Sequence, residues 1–142
     1  MSSASKNLKR SEQAFVQEAH RKLRKLDVPS KWEAPLLGRS IDLVFYKDGA
    51  VHSIEFKLRD WRRAIVQARD HQLGADFAYI CLPEKKATEA MLRAAEEEGI
   101  GVLEFQKSEE WPFATILPAQ RSQDQWLVAR ENLFNLLTPL PT

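Results

Sequence analysis

The chain has a single cysteine, Cys81, so no intrachain disulfide can form and no thiol-rich metal site is available. Cys81 lies in the apolar run DFAYICLP, which suits a buried, inert thiol. No apolar run approaches the ~20 residues of a membrane helix, and no charged-then-apolar signal segment opens the sequence. The expectation is a soluble, cytoplasmic protein without a membrane partner. Charge of one sign is also lacking: the formal net charge is +1, so any pull toward nucleic acid must come from local clustering. What the chain does have is 142 residues, 44% of them hydrophobic, enough for one compact domain and too few for two.

MSSASKNLKR, residues 1–10, reads as a flexible basic lead-in, and residues 138–142 as a Pro-rich tail. Ser11 suits an N-cap for a helix over EQAFVQEAHRKLRKL. Leu8, Phe15, Val16, Ala19, Leu23 and Leu26 fall within one arc of about 100°. Glu12 projects near the middle of that apolar arc, whereas Glu18 lies well outside it. A first-turn glutamate at the positive end of the helix dipole is the ordinary explanation for Glu12.

KWEAPLL reads as a short strand, with Gly38 and Arg39 as a turn into the next. Residues 40 to 47 and 50 to 58 alternate apolar and polar and are joined by Asp48-Gly49, a strong hairpin signal. Asp60 can cap a helix over WRRAIVQARDHQ that Gly74 ends. DFAYICLP and IGVLEF read as buried strands around the helix KKATEAMLRAAEEE, which Gly99 stops. PFATILP is an edge strand, and QDQWLVARENLFNLL a last amphipathic helix. The order gives an α/β fold with a mixed sheet, an antiparallel meander followed by parallel crossover strands, flanked by helices.

A two-residue Asp48-Gly49 loop pairs Lys47 with Ala50 and carries the register down to Asp42 opposite Glu55. Ile41, Leu43, Phe45, Ile54, Phe56 and Leu58 then form one core-facing surface, and Asp42, Glu55 and Lys57 point the other way. Directly opposed carboxylates, with Cβ atoms about 4.5 to 5.5 Å apart, destabilise a sheet unless something neutralises them. A divalent cation does so, because Mg²⁺ binds through one or two carboxylates and keeps waters able to act as nucleophiles. Lys57, one same-face step beyond Glu55, is placed to hold or deprotonate such a water or to offset charge on phosphorus. Against this stands the commonness of Glu-x-Lys on solvated strand faces.

An acidic residue on a first helix, GRSIDLV, a short hairpin, IEFK, and a following helix with AIVQA together resemble the PD-(D/E)xK nuclease superfamily. This includes restriction-endonuclease-like and Holliday-junction-resolvase-like proteins. The similarity spans residues 11 to 105, and Ile41 stands where the literal motif has proline. It implies a restriction-endonuclease-like core. It also implies Asp42 and Glu55 as metal ligands, the Phe56 backbone carbonyl as a further oxygen ligand, and Lys57 as the catalytic lysine. Gln67 matches a glutamine that supports the lysine or the substrate backbone, and Glu12 the first-helix acid that completes the metal site. Glu33 and Glu18 are weaker substitutes for Glu12. Where some relatives carry tyrosine four residues after the glutamine, this chain has His71.

The resemblance further implies Mg²⁺, with Mn²⁺ able to substitute, and DNA as substrate, cut to leave a 5′ phosphate. Arg39, Arg59, Arg62 and Arg63 are the candidate phosphate contacts; the last three follow the motif strand directly. A second basic group runs through Lys6, Lys9, Arg10, Arg21, Lys22, Arg24 and Lys25, where solvated helix faces serve equally well. Trp61 suits packing beneath the site, the other tryptophans core or interface, and His52 a structural place on the hairpin's buried face. The competing reading is a non-catalytic DNA-binding module of the same fold in a repair or defence assembly. A homodimer, or a larger nucleoprotein assembly, is a third possibility, with Trp126, Leu133, Phe134 and Leu137 as a dimer stripe or as core.

Overall fold

The computed structural model describes residues 3–84 and 86–138, with side chains from Arg10 onward. The side chains of Lys6, Leu8 and Lys9 and the tail from residue 139 lie outside the described residues. The elements run α1 (Ser3–Lys25), β1 (Ser30–Leu36), β2 (Arg39–Lys47), β3 (Ala50–Phe56), α2 (Trp61–His71), β4 (Phe77–Cys81), α3 (Glu89–Glu97), β5 (Gly101–Phe105), β6 (Phe113–Leu117) and α4 (Leu127–Leu137). The six strands lie in one sheet in chain order. β1, β2 and β3 form the antiparallel meander, α2 and α3 carry the chain through parallel β3, β4 and β5, and β6 returns antiparallel as an edge. This is the α/β mixed sheet expected from the pattern of periods.

Helices cover both faces of the sheet, as parallel strands buried on two sides require. Val16, Ala19 and Leu23 of α1 pack on Leu43, Phe45, Ile54 and Phe56. On the other face, Ala129, Leu133 and Leu137 of α4 meet Val44 and Val51, while α2 and α3 close over Ile80 and Val102. Leu133 and Leu137 are therefore core, whereas Trp126 stays exposed. Among the described residues no helix is long and apolar enough to cross a membrane.

Four local expectations need correction. The first helix starts at Ser3, so Ser11 sits inside it and residues 3–10 are not a loose lead-in. SASKNLKR holds no glycine or proline to stop a helix already nucleated downstream. The first turn of the meander is Leu37-Gly38, both at positive φ (50° and 79°), with Arg39 already in β2. Gly74 lies two residues beyond the cap, since α2 ends at His71 with Gln72 as its C-cap. It is small because a Cβ there would sit 2.8 Å from side-chain atoms of both Leu36 and Leu133. Finally, Ile41 does not share the cluster of Leu43 and Phe45; it packs with Ala34 and Leu36 under α4.

The last difference has a local cause. Register pairs run from Ser30↔Phe45 to Leu36↔Arg39 except at the position of Glu33 and Asp42. Glu33 has φ +52°, a left-handed conformation that costs a non-glycine residue of order 1–3 kcal/mol. The alternation of β1 and β2 switches faces at that point.

Candidate functional site

The hairpin holds the expected register, from Lys47↔Ala50 to Leu43↔Ile54, across a turn with Asp48 at φ 52° and Gly49 at φ 76°. Two successive positive-φ residues match the right-handed twist of the flanking strands. One step further Asp42 faces Glu55, and the ladder opens. The Asp42 carboxylate, rather than a backbone carbonyl, accepts the Phe56 N–H at 2.9 Å. Lys57 N–H turns to the opposite neighbour and donates to the Cys81 carbonyl at 3.0 Å. In an extended residue the N–H and C=O share one edge, so the Phe56 carbonyl opens on the Asp42 side while its ring is fully buried.

Two helices complete the site. Because α1 begins at Ser3, Glu12 lies far beyond its first turn, and the helix dipole cannot account for an acid on the apolar stripe. Its Oε1 accepts the Leu58 N–H at 3.2 Å, which ties α1 to the end of β3. Asp60 starts α2 by accepting the Arg63 N–H at 3.3 Å, and one face of that helix brings Gln67 and His71 toward Glu55. A cavity of about 770 Å³ is lined by Glu12, Trp32, Asp42, Glu55, Lys57 and Gln67 among others. A second, of about 790 Å³, adjoins it and shares Glu55, Arg63 and Gln67, adding Arg39, Arg62 and His71.

Both opposed carboxyls are pushed toward the protonated form. For Glu55, burial is the larger cause and the negative charge of Asp42 the next. For Asp42, burial outweighs the stabilising Phe56 N–H, and the Glu55 carboxyl donates to it in the protonated state. The pair therefore shares a proton when nothing else neutralises it. His71 Nε2 lies 4.0 Å from Glu55 Oε2, and burial lowers the His71 pKa to about 4, so the ring is neutral and offers no compensating charge. Gln67 Oε1 and His71 Nδ1 are buried without a hydrogen-bond partner among the described residues.

Among the described residues no three Asp, Glu, His or Cys side chains converge as a metal cluster. Mg²⁺ does not need one, since one or two carboxylates with waters and substrate oxygens suffice. Asp42, Glu55 and the Phe56 carbonyl make a donor set of that hard, oxygen-only kind. A buried Glu55 and a half-buried Asp42 held together against their repulsion fit a cation better than they fit an empty fold. Glu12 adds negative charge near both, with one oxygen committed to Leu58.

All the expected side chains thus meet at one end of β3, together with Arg59 and Arg63 on the rim of the first cavity. Arg39 is paired with Asp70 at 2.5 Å, and the Arg62 guanidinium lies over the Trp61 ring at 4.3 Å, which orients both beside the second cavity. Glu18 is excluded as a substitute acid, because it pairs with Arg21 on a different part of α1. Glu33 does reach the cavity, where Gln13 donates to it at 3.4 Å. His52 is structural, stacked on Phe45 with ring centroids 4.7 Å apart. Sequence reasoning missed Trp32 in the cavity wall, and His71 behind Glu55 was noted only as a departure from a pattern; the sole early signal for Trp32 was its place beside Glu33 in KWEAPLL. The chain matches no protein-family model and no curated protein.

Proposed function

We propose that this protein is a divalent-metal-dependent nuclease that hydrolyses DNA phosphodiester bonds, with a restriction-endonuclease-like core of the PD-(D/E)xK kind. The observation that carries the reading is the opposed pair of half-buried Asp42 and buried Glu55, with Lys57 in the same cavity. Opposed carboxylates are costly to a fold and useful to a cation site.

Asp42, Glu55 and the Phe56 carbonyl hold Mg²⁺ or Mn²⁺, with Glu12 supporting the site from α1. When bound, the ion supplies Lewis-acid stabilisation of the charge that builds on the phosphate oxygens. Lys57 places its ammonium in the cavity beside Glu55, where it orients the attacking water and offsets negative charge on phosphorus. Gln67 donates through its amide to the substrate backbone or to the groups around Lys57. Arg59, Arg62 and Arg63, with Arg39 behind, receive the flanking phosphates at the start of α2. A cytoplasmic role in DNA repair, recombination or defence, as a homodimer or in a larger nucleoprotein assembly, belongs to the same proposal.

The test is incubation of the purified chain with linear, single-stranded and branched DNA in Mg²⁺ or Mn²⁺, beside Lys57→Ala. Cleavage that requires the cation and is lost in the variant supports the reading. Cleavage that survives both chelator and the substitution overturns it.

A further inference from the structure

Trp32 is on the wrong side of its strand for a core residue. In a regular strand it would share a face with Ala34 and Leu36, which are buried under α4. The left-handed backbone of Glu33 breaks that alternation, and Trp32, paired with Leu43, is turned to the other side. Among the described residues it belongs to none of the three core clusters, and it is 37% exposed and lines the cavity of Asp42, Glu55 and Lys57. Trp61 and Trp111 each have a packing explanation: Trp61 lies against the α2–α3 core and Trp111 edge-on to Phe45 and Phe113. Trp126 is exposed and lines neither cavity of the site.

A strained backbone that keeps a large aromatic out of the core and in a charged cavity calls for a ligand with both an anionic and a flat apolar part. Lys57, Arg59 and Arg63 line the same cavity and supply the anion contacts. A nucleotide has both parts. In a duplex the base faces are already stacked, so only an unpaired base can offer one to an indole. We propose that Trp32 stacks on an unpaired nucleobase adjoining the phosphate held in the Asp42–Glu55–Lys57 cavity, making the site selective for single-stranded or locally opened nucleic acid. This rests on the nuclease reading above and names its substrate class.

The test is fluorescence anisotropy of the full chain with Ca²⁺ in place of Mg²⁺, using labelled single-stranded DNA, single-stranded RNA and duplex DNA of one length. Trp32→Leu keeps apolar bulk without a π face, Trp32→Phe keeps a face, and thermal melts establish that both fold. Trp32→Leu is expected to weaken single-strand binding about 10-fold, Trp32→Phe to restore most of it, and duplex binding to stay unchanged. Comparison of the DNA and RNA arms identifies which sugar the unpaired strand carries. Equal single-strand affinity in Trp32→Leu and wild type, or equal losses on single strand and duplex, overturns the stacking proposal. Cation-dependent cleavage by wild type, lost in Lys57→Ala, would in that case leave the nuclease reading standing. Failure of the wild type to bind any of the three nucleic acids overturns both.

Discussion

Glu55→Gln should stabilise the metal-free protein while destroying its cation site. Glu55 is 5% exposed and its pKa is raised by burial and by Asp42. The folded chain therefore keeps a proton that the unfolded chain has released above the ordinary glutamate value of 4.5. Stability falls as pH rises from that value toward the raised pKa, by up to about 1.4 kcal/mol per pH unit for one proton. Between pH 4.5 and 7 the ceiling is ~3 kcal/mol, and relaxation around the site leaves roughly 2 kcal/mol as the working figure. Glutamine imitates the protonated carboxyl, donates to Asp42 as that carboxyl does, and does not ionise when unfolded. The variant should melt ~6 °C above wild type at pH 7 in chelator, with the gap shrinking toward zero at pH 4.5. Saturating Mg²⁺ should close the gap from the other side, since only wild type gains binding energy, about 1.4 kcal/mol at ten times the dissociation constant. Calorimetric or fluorescence melts at the two pH values, with and without Mg²⁺, measure all of this. A variant less stable than wild type at pH 7 without metal, or an advantage independent of pH, would refute the view of Asp42 and Glu55 as an uncompensated pair.

Three further outcomes follow from other parts of the molecule. His71 has the opposite sign: its pKa falls from 6.5 to about 4 on burial, so its contribution is complete above 6.5 and is lost as pH drops toward 4. His71→Phe should remove an acid-side loss on the order of 3 kcal/mol, read from denaturant midpoints at pH 7 and pH 4. Glu12→Gln keeps an acceptor for Leu58 N–H but removes a charge beside the site, so Mn²⁺ affinity by titration calorimetry should drop about 10-fold while the melting temperature holds. Gly101→Ala places a Cβ against the Tyr79 ring and 2.8 Å from Ala119 N, and should cost about 1–3 kcal/mol by urea unfolding.

Much of the site was legible because a β-hairpin is a local object. Asp48-Gly49 specifies a two-residue turn, the turn specifies register, and register places Asp42 opposite Glu55 without knowledge of the rest of the fold. Helical periodicity likewise aimed Glu12 inward, although the helix start was misplaced by eight residues, from Ser11 to Ser3, because no local signal separates residues 3–10 from the helix that follows. The face switch at Glu33 and Asp42 was not legible. Nothing in KWEAPLL announces a left-handed glutamate, which sits at the one unpaired position of the β1–β2 ladder. At that position Ile41 enters another core cluster and Trp32 the cavity. The neutral state of His71 depends on burial by α2, a tertiary property that no spacing encodes.

The most direct measurement is mass spectrometry of the ends left on a single-stranded or branched DNA after incubation in Mn²⁺. The expected result is 5′-phosphate and 3′-hydroxyl termini with wild type and, with Lys57→Ala or with chelator, intact strands at the same protein concentration. Ends carrying a 3′ phosphate, or the same products from Lys57→Ala, would contradict the assignment of Asp42, Glu55 and Lys57 as a cation-dependent phosphodiesterase site.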